Sequence, residues 1–241
     1  MKIPAFITVR TASSRLPQKC LLPFGDYNVI EHIIHRAKYY QLEPIICTST
    51  ESSDDILEKI AQNEGVKVFR GSMVNKLKRW YDCCNHFGIG SFHTVDADDP
   101  FFDGNLMKES MNLLEEGYDV VCPTESSSAG DASVGYSLTK NIIKKSLSLI
   151  EDEDDTEMMW YYLDKVTNLK KVDLPNPNNN PVKVRLTLDY DEDYWMLQTV
   201  RRIVGNLADR KTIDQLFIDN PNLYQINWFR NEEWKAGQKI N

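Results

Sequence analysis

Three cationic side chains follow the first apolar segment of the chain at short intervals. Arg10, Arg15 and Lys19 lie five and four residues apart, with two serines between them. Arginine binds phosphate oxygens in pairs, lysine supplies a mobile positive charge, and hydroxyl and backbone N–H groups add hydrogen bonds. These residues could wrap a polyphosphate. The alternative, from spacing alone, is an exposed basic loop that keeps the molecule soluble.

Carboxylates stand at the ends of two other segments that have the pattern of strands. Asp98 lies in the sequence DADDP, and Asp189 ends the sequence RLTLD. Carboxylates are the ligands that Mg²⁺ takes together with phosphate oxygens and water. Aspartate and proline also turn and cap strand ends routinely, so the pattern of either acid alone is compatible with a purely structural role.

These candidate residues are positioned by alternating strands and helices. Short apolar runs predict buried strands at 4–9, 44–48, 66–69, 91–95 and 119–122, and amphipathic patterns predict helices at 28–40, 53–63, 74–87 and 106–116. Asn28 is the expected N-cap of the first helix, and Gly65 and Gly117 are expected to end two others. The alternation predicts a parallel sheet with helices on both faces. Such sheets bind ligands beyond the carboxyl ends of their strands, which is where residues 10–19, the basic loop, begin.

The second half of the chain is less regular. Its patterns predict a polar loop at 126–130, a helix at 140–150, strands at 168–174 and 182–188 around a loop at 175–181, and a helix at 192–206. Thr212 is expected to cap a further helix, and the acid-rich segment 151–157 to form a solvated turn or helix start. Because no repeat or long linker occurs, we expect a single domain, 1–241, with a small β-rich insertion in its second half.

Composition excludes several classes of function. The 241 residues carry a formal charge of −8, which argues against a general duplex-binding protein. No apolar run approaches the roughly 18 residues that a membrane span needs, and the N-terminus lacks the pattern of a signal peptide. The five cysteines never form a CxxC pair, so a reducing cytoplasm fits better than a disulfide framework. We therefore expect neither a nucleic-acid nor a membrane partner.

Several motifs recur together along the chain. The stretch ITVRTASSRLPQKCLLPFG is followed in order by IEHIIHRAK, RGS at 70–72, ADDP at 97–100, RLTLDYDED at 185–193 and IDNPNLYQIN near the end. The first stretch closely resembles the N-terminal signature R-x-x-S-[ST]-R-[LF]-P-x-K of the cytidylyltransferases that make CMP-activated acidic sugars. The nearest branch is the SpsF-like spore-coat polysaccharide biosynthesis proteins. The resemblance covers most of the chain.

The resemblance implies an α/β, three-layer Rossmann-like nucleotidyltransferase (GT-A-like) fold, a mostly parallel sheet, CTP as substrate and Mg²⁺ as cofactor. It assigns roles to eight residues: Arg10, Arg15 and Lys19 as catalytic cations, these three with Ser13, Ser14 and Arg70 as nucleotide-binding residues, and Asp98 and Asp189 as metal ligands. Family members are usually homodimers. We therefore expect residues 1–125 to bind nucleotide, and residues 126–241 to bind the acceptor and form the dimer.

The expected reaction is transfer of CMP from CTP to an acidic sugar, of the 3-deoxy-octulosonate or sialic-acid type, with release of pyrophosphate, for surface polysaccharide biosynthesis. Two stretches depart from the family pattern: EMMWYY at 157–162 replaces an E-H-[VT]-T-P-Y-like motif, and NKLKRW at 75–80 replaces D-V-L-D-R-Y. The added Lys76, Lys78 and Arg79 could favour a strongly anionic acceptor or decorate an exposed face. Alternatives therefore stay open: a phosphonate or other anionic acceptor, a GT-A-type glycosyltransferase, or a non-catalytic nucleotide-binding subunit.

Overall fold

The computed structural model describes residues 2–176 and 183–237. Within these residues the strands are β1 Pro4–Thr8, β2 Pro23–Phe24, β3 Tyr27–Asn28, β4 Glu43–Ser49, β5 Lys67–Gly71, β6 Ser91–Asp96, β7 Val120–Cys122, β8 Ser137–Thr139 and β9 Lys171–Asp173. The helices are α1 Val29–Tyr39, α2 Asp55–Glu64, α3 Lys76–Phe87, α4 Gly104–Glu115, α5 Lys140–Leu147, α6 Met159–Leu163, α7 Asp191–Val204, α8 Arg210–Asp219 and α9 Asn231–Gly237.

The main sheet has the strand order β5-β4-β1-β6-β8-β7-β9. β1 pairs in parallel with β4 and β6, so that Thr8 lies opposite both Cys47 and Asp96. β5 continues the parallel pairing on β4, whereas β8 runs antiparallel to both β6 and β7, and β9 runs parallel to β7. The predicted mostly parallel sheet is confirmed. The loops that follow β1 and β6 therefore leave the same edge of the sheet side by side.

Apolar side chains cover both faces of the sheet. In β1, Ala5 and Ile7 belong to a buried cluster with side chains of α1, α2, α4, α7 and α8, whereas Phe6 belongs to a second cluster with α3, α5 and α6. Because successive side chains of a strand point to opposite faces, each face is closed by its own layer of helices. The result is the expected three-layer α/β arrangement.

Local signals set several helix ends. Asn28 begins α1 with a capping box, in which its side chain accepts from the backbone N–H of Glu31 and the Glu31 carboxylate accepts from that of Asn28. Gly65 ends α2 with a φ of 62°, a backbone angle that favours glycine. The prediction that Thr212 caps a helix is wrong: Asp209 caps α8 and accepts from the N–H of Thr212 at 2.8 Å.

The segment before α7 also differs from its prediction. No strand pairing occurs over the described residues 183–188. Residues 177–182, which are most of the predicted loop and the first residue of the predicted strand, lie outside the described ones. Two backbone hydrogen bonds hold the segment instead: Leu186 N–H donates to the Gly130 carbonyl at 2.9 Å, and Leu188 N–H donates to the Asp98 carbonyl at 2.7 Å. This second bond fixes the chain before Asp189 against the loop after β6. The strands β8 and β9 belong to the main sheet.

Candidate active site

A cavity of about 980 Å³ opens at the carboxyl edge of the sheet. One wall is the basic loop and the residues after β6, and the opposite wall is formed around β7, β9 and α6. Trp234 of α9 and Asp189 also line the cavity. The cavity therefore lies where the topology places ligands in open α/β sheets.

A buried carboxylate fixes the start of the basic loop. Asp54 accepts hydrogen bonds from the backbone N–H and the hydroxyl of Thr11, both at 2.8 Å, and from the side chains of Thr48 and Ser49. Burial by itself raises the pKa of Asp54, but these hydrogen bonds outweigh it and hold the pKa below its usual range. Asp54 thereby ties the loop to the end of β4. Thr11 and Asp54 lie 43 residues apart, so no local pattern in the sequence indicates that they are paired.

Lys19 lies between the two predicted metal ligands. Its Nζ is 2.7 Å from Asp98 Oδ2 and 3.0 Å from Asp189 Oδ1, and it donates to the Leu188 carbonyl at 2.9 Å. The structure thus brings together three of the predicted site residues from distant parts of the sequence. Because both carboxylates contact one ammonium group, they face the same small volume.

The charges of this cluster shift its pKa values. Burial alone lowers the pKa of the Lys19 ammonium, but Asp98 and Asp189 outweigh burial and place the pKa above its usual range. Burial raises the pKa of the Asp98 carboxyl to about 6, Lys19 opposes that rise, and Asp189 adds to it. The site therefore favours a positive charge between the carboxylates.

This donor set fits Mg²⁺. Among the described residues no group of three or more histidine, cysteine, aspartate or glutamate side chains could hold a metal by itself. Mg²⁺ is commonly bound through one or two carboxylates while substrate phosphates and water supply its other ligands. Asp98 and Asp189 would be those two carboxylates, and Arg15 Nη2 lies 3.7 Å from Asp189 Oδ1.

The rest of the basic loop also lines the cavity. Arg15 is partly exposed and lies over the ring of Tyr190, with 5.8 Å between the guanidinium carbon and the ring centre. Ser13 Oγ accepts a long hydrogen bond of 3.5 Å from the backbone N–H of Leu16, and Ser14 lies in the cavity wall. Their exposure to the cavity leaves both serines and Arg15 accessible to a ligand.

Arg10, the first residue of the basic loop, is held by the carboxylate of Glu157. Its guanidinium donates to the Met73 carbonyl and to Glu157, each at 3.1 Å. The other oxygen of Glu157 lies 3.4 Å from Lys76 Nζ, which also contacts Asp96 Oδ1 at 3.2 Å. Lys76 is the main cause that lowers the pKa of Glu157 to about 2, and Arg10 adds to it against the effect of burial. Glu157 therefore connects two cations of the cavity wall.

The prediction of a solvated turn or helix start at 151–157 does not hold for Thr156. Thr156 is fully buried, and its hydroxyl donates to Asn75 Oδ1 at 3.1 Å and accepts from the N–H of Leu77 at 3.0 Å. This contact fixes the turn to the start of α3 and places Glu157 beside Lys76. The residues before Thr156 are mostly exposed, as the sequence predicts.

Arg70 is not brought to the cavity. Its Nη1 lies 2.7 Å from the Asp55 carboxylate and 3.0 Å from that of Glu58, and its other nitrogens donate to the carbonyls of Ser49 and Glu51. β5 is the edge strand of the sheet, and this side chain bonds to the start of α2. The geometry gives no support to the predicted nucleotide contact of Arg70.

A buried ion pair fixes the backbone at Asp189. Arg185 and Asp193, both with fully buried side chains, form two bonds of 2.8 Å. The second oxygen of Asp193 also accepts from the backbone N–H groups of Asp189 and Tyr190 at 3.0 and 3.1 Å. The motif RLTLDYDED thus builds a rigid turn at the start of α7. The sequence motif predicts Asp189 as a metal ligand, but it does not predict the ion pair between Arg185 and Asp193.

The sequence model of the cytidylyltransferase family matches residues 5–199, which is most of the chain. The chain belongs to the cytidylyltransferase family. This cytidylyltransferase is 25% identical over 227 residues to the spore coat polysaccharide biosynthesis protein SpsF of Bacillus subtilis, covering 90% of this chain and 93% of that protein. It is 27% identical over 235 residues to the uncharacterized protein MJ1063 of Methanocaldococcus jannaschii, covering 94% and 95%.

Solved structures give the same result. A cytidylyltransferase from Leptospira borgpetersenii matches this cytidylyltransferase with a TM-score of 0.83 at 25% identity, covering 93% of this chain and 97% of that one. CMP:2-keto-3-deoxy-manno-octonic acid synthetase complexed with CTP matches with a TM-score of 0.63 at 14% identity, covering 84% and 99%, which shows a shared fold. The predicted family, fold and enzyme class, a nucleotidyltransferase, are confirmed. In the described part of this cytidylyltransferase, no helix has the length and apolar character to cross a membrane.

Proposed function

We propose that this cytidylyltransferase transfers CMP from CTP to a small-molecule acceptor, with Mg²⁺ bound by Asp98 and Asp189. The observation that carries the proposal is the position of Lys19, whose ammonium contacts both carboxylates at the mouth of the basic loop. A cation site bordered by further cations is what a metal-bound triphosphate requires.

The cations of the basic loop have distinct tasks in this proposal. Arg15 and Lys19 border the carboxylate pair and bind the β- and γ-phosphates there, while Arg10 binds them from the Glu157 side. Backbone N–H groups near Ser13 and Ser14 supply further donors. Arginine gives paired hydrogen bonds to phosphate oxygens, and the lysine side chain can follow the charge of the departing pyrophosphate.

The chemical step is a substitution at phosphorus. An oxygen of the acceptor attacks the α-phosphorus of CTP, the bond from that phosphorus to the bridging oxygen breaks, and pyrophosphate leaves with the electron pair. Bound Mg²⁺ would neutralise charge on the reacting phosphates. The chain itself contributes orientation and charge stabilisation, since fixed donors act without reorganisation during the reaction.

The acceptor expected from the resemblance is an acidic sugar for surface polysaccharide biosynthesis, and the similarity to SpsF supports the polysaccharide context. Homodimeric assembly, a cytoplasmic location, and the division into a nucleotide half 1–125 and an acceptor half 126–241 belong to the same proposal.

The test is pyrophosphate release from CTP with a panel of acidic sugars, phosphonates and polyols. We expect Asp98→Asn and Asp189→Asn each to lower turnover by about a hundredfold or more, the size of effect seen when one fixed electrostatic group is removed. Asp82→Asn is the matched control, because Asp82 pairs with Lys78 on the surface of α3, and neither residue lines the cavity. Full activity in both site variants would contradict the metal assignment. A preference for UDP-sugars over CTP would instead indicate a glycosyltransferase.

A further inference from the structure

The motif IDNPNLYQIN near the end of the chain ends in a fully buried side chain, that of Asn227. We call residues 220–230, which follow α8, the tail; they lie beyond residue 199, where the match to the family sequence model stops. Asn227 Nδ2 donates to the Arg185 carbonyl at 3.0 Å and to Asp193 Oδ1 at 2.9 Å. The tail is therefore anchored on the residues that build the turn at the start of α7.

The carboxylate of Asp193 connects this anchor to Asp189. Asp193 accepts two bonds from the Arg185 guanidinium, and its Oδ2 also accepts from the backbone N–H groups of Asp189 and Tyr190. Asn227 supplies a further donor, to Oδ1. Because both carboxylate oxygens accept hydrogen bonds, the carboxylate is fixed in orientation, and with it the backbone that carries the Asp189 side chain.

The opposite side of this turn is held by residues of the site. Leu188 N–H donates to the Asp98 carbonyl at 2.7 Å, and the Leu188 carbonyl accepts from Lys19 Nζ at 2.9 Å. Asp189 therefore lies between the loops of the site on one side and the buried contacts of the tail on the other. A shift on the tail side would move the Asp189 carboxylate relative to that of Asp98.

The tail makes a second contact with the same turn, at a partly exposed position. Arg230 donates to both carboxylate oxygens of Glu192, each at 3.0 Å. Its guanidinium carbon lies 4.8 Å from the centre of the Tyr190 ring, and the guanidinium carbon of Arg15 lies 5.8 Å from the same centre. Paired bonds between a guanidinium and a carboxylate fix both planar groups in one geometry. The tail thus holds the turn through a buried contact and a surface contact.

We infer that Asn227 is a positioning residue for Asp189, and that the tail thereby supports the binding of a metal-bound triphosphate. The inference rests on the proposed function, in which Asp189 is a ligand of Mg²⁺. Mg²⁺ demands near-ideal octahedral geometry, so a carboxylate held in place binds it better than one that can shift. The amide of Asn227 suits this task because it donates to Asp193 without adding a charge to the buried ion pair.

An isosteric substitution tests the inference in the full chain. Asn227→Asp keeps the shape of the side chain, but it replaces the donating nitrogen by a carboxylate oxygen opposite Asp193 Oδ1. CTP binding is measured by calorimetry over a series of Mg²⁺ concentrations. We expect Asn227→Asp to raise the Mg²⁺ concentration that gives half of the gain in CTP affinity by about tenfold or more, the usual cost of losing a partner that orients a metal ligand. CTP affinity without Mg²⁺ should stay close to that of the wild type, because the basic loop is retained.

Two further variants accompany this test. Asn28→Asp is the matched control: it makes the same change of atoms and charge at a residue that caps α1 through its accepting oxygen, which aspartate keeps. It should leave the required Mg²⁺ concentration unchanged. Arg230→Gln breaks the surface contact of the tail and should raise that concentration about two- to fivefold, the range expected for a partly exposed ion pair. If Asn227→Asp does not fold, Arg230→Gln alone decides the inference.

A Mg²⁺ requirement that neither tail variant changes would overturn the inference, and so would an equal change in Asn28→Asp. The wild type and Asp189→Asn are titrated in the same series. If Mg²⁺ had no effect on CTP binding by the wild type, the proposed function itself would be refuted. If the Mg²⁺ effect were present in the wild type, lost in Asp189→Asn and unchanged in Asn227→Asp and Arg230→Gln, the positioning role alone would be refuted.

Discussion

Lys19 occupies the position between Asp98 and Asp189 that favours a positive charge. Its contacts of 2.7 and 3.0 Å keep two carboxylates together that would otherwise repel each other. When Mg²⁺ and a triphosphate bind, we expect the ammonium group to move from the carboxylates to the phosphates on its flexible four-carbon stem. Lys19 would thus stabilise the site in both states.

Glu157 provides a test at the residue scale. It fixes Arg10 through a 3.1 Å bond and offsets the charge of Lys76. We expect Glu157→Gln to raise KM for CTP about three- to tenfold with a smaller effect on kcat, because a neutral amide orients Arg10 less strongly than a carboxylate does. Steady-state kinetics with varied CTP measures this split. An unchanged or lower KM would show that Glu157 does not position Arg10.

Among the elements, α1 carries a buried histidine that links the helix to the site. His32 Nε2–H donates to the carbonyl of Pro100 at 2.8 Å, directly after the aspartates that follow β6. Burial lowers the pKa of His32 to about 4 and that of His93, in β6, to about 3, against an ordinary value of 6.5. Both side chains are therefore neutral in the folded protein near neutral pH.

These histidines predict a loss of stability in acid. Between pH 6.5 and about 4 the unfolded chain binds more protons than the folded one, so the free energy of unfolding falls as pH falls through that range. We expect each histidine to contribute a decrease of about 2 kcal/mol between about pH 7 and pH 5. Urea unfolding of the wild type and of His32→Gln at both pH values measures the difference. If the free energy of unfolding had the same pH dependence in both proteins, the lowered pKa of His32 would be contradicted.

Local elements could be predicted from the sequence, but the contacts that join them could not. Asn28 and Gly65 are signals within one helix turn, and they begin α1 and end α2 as predicted. Arg10 and Glu157 lie 147 residues apart, and Thr11 and Asp54 lie 43 apart, so no local pattern reveals either pair. The segment 183–188 has the alternation of a strand, yet its backbone N–H groups at Leu186 and Leu188 donate to the carbonyls of Gly130 and Asp98, which lie outside the strands.

At the scale of the whole molecule, the strand order places the loops that carry the predicted site residues side by side. The central strands β1 and β6 lead into the basic loop and into the loop that holds Asp98, and the cavity opens at this edge of the sheet. The formal net charge of −8 does not reveal the basic loop, because Arg10, Arg15 and Lys19 are a local concentration of cations in residues 10–19. The family motif could predict Asp98 and Asp189, but Arg70 has its own partners on α2 and stays away from the cavity.

The proposed homodimer is a prediction at this scale. Exposed apolar side chains occur on α7, where Trp195 and Ile203 are each 58% exposed. Such residues on a surface are compatible with an interface between two copies. Sedimentation velocity should give a mass twice that of the 27.9 kDa chain. A single species at the mass of one chain would contradict the prediction.

The most direct test of the account is calorimetric titration of CTP into the protein with and without Mg²⁺. We predict binding that strengthens at least about tenfold with Mg²⁺, and loss of that gain in Asp189→Asn, since Lys19, Asp98 and Asp189 form one site for a metal-bound triphosphate. Equal CTP affinity with and without Mg²⁺, or a Mg²⁺ effect retained in Asp189→Asn, would contradict the account.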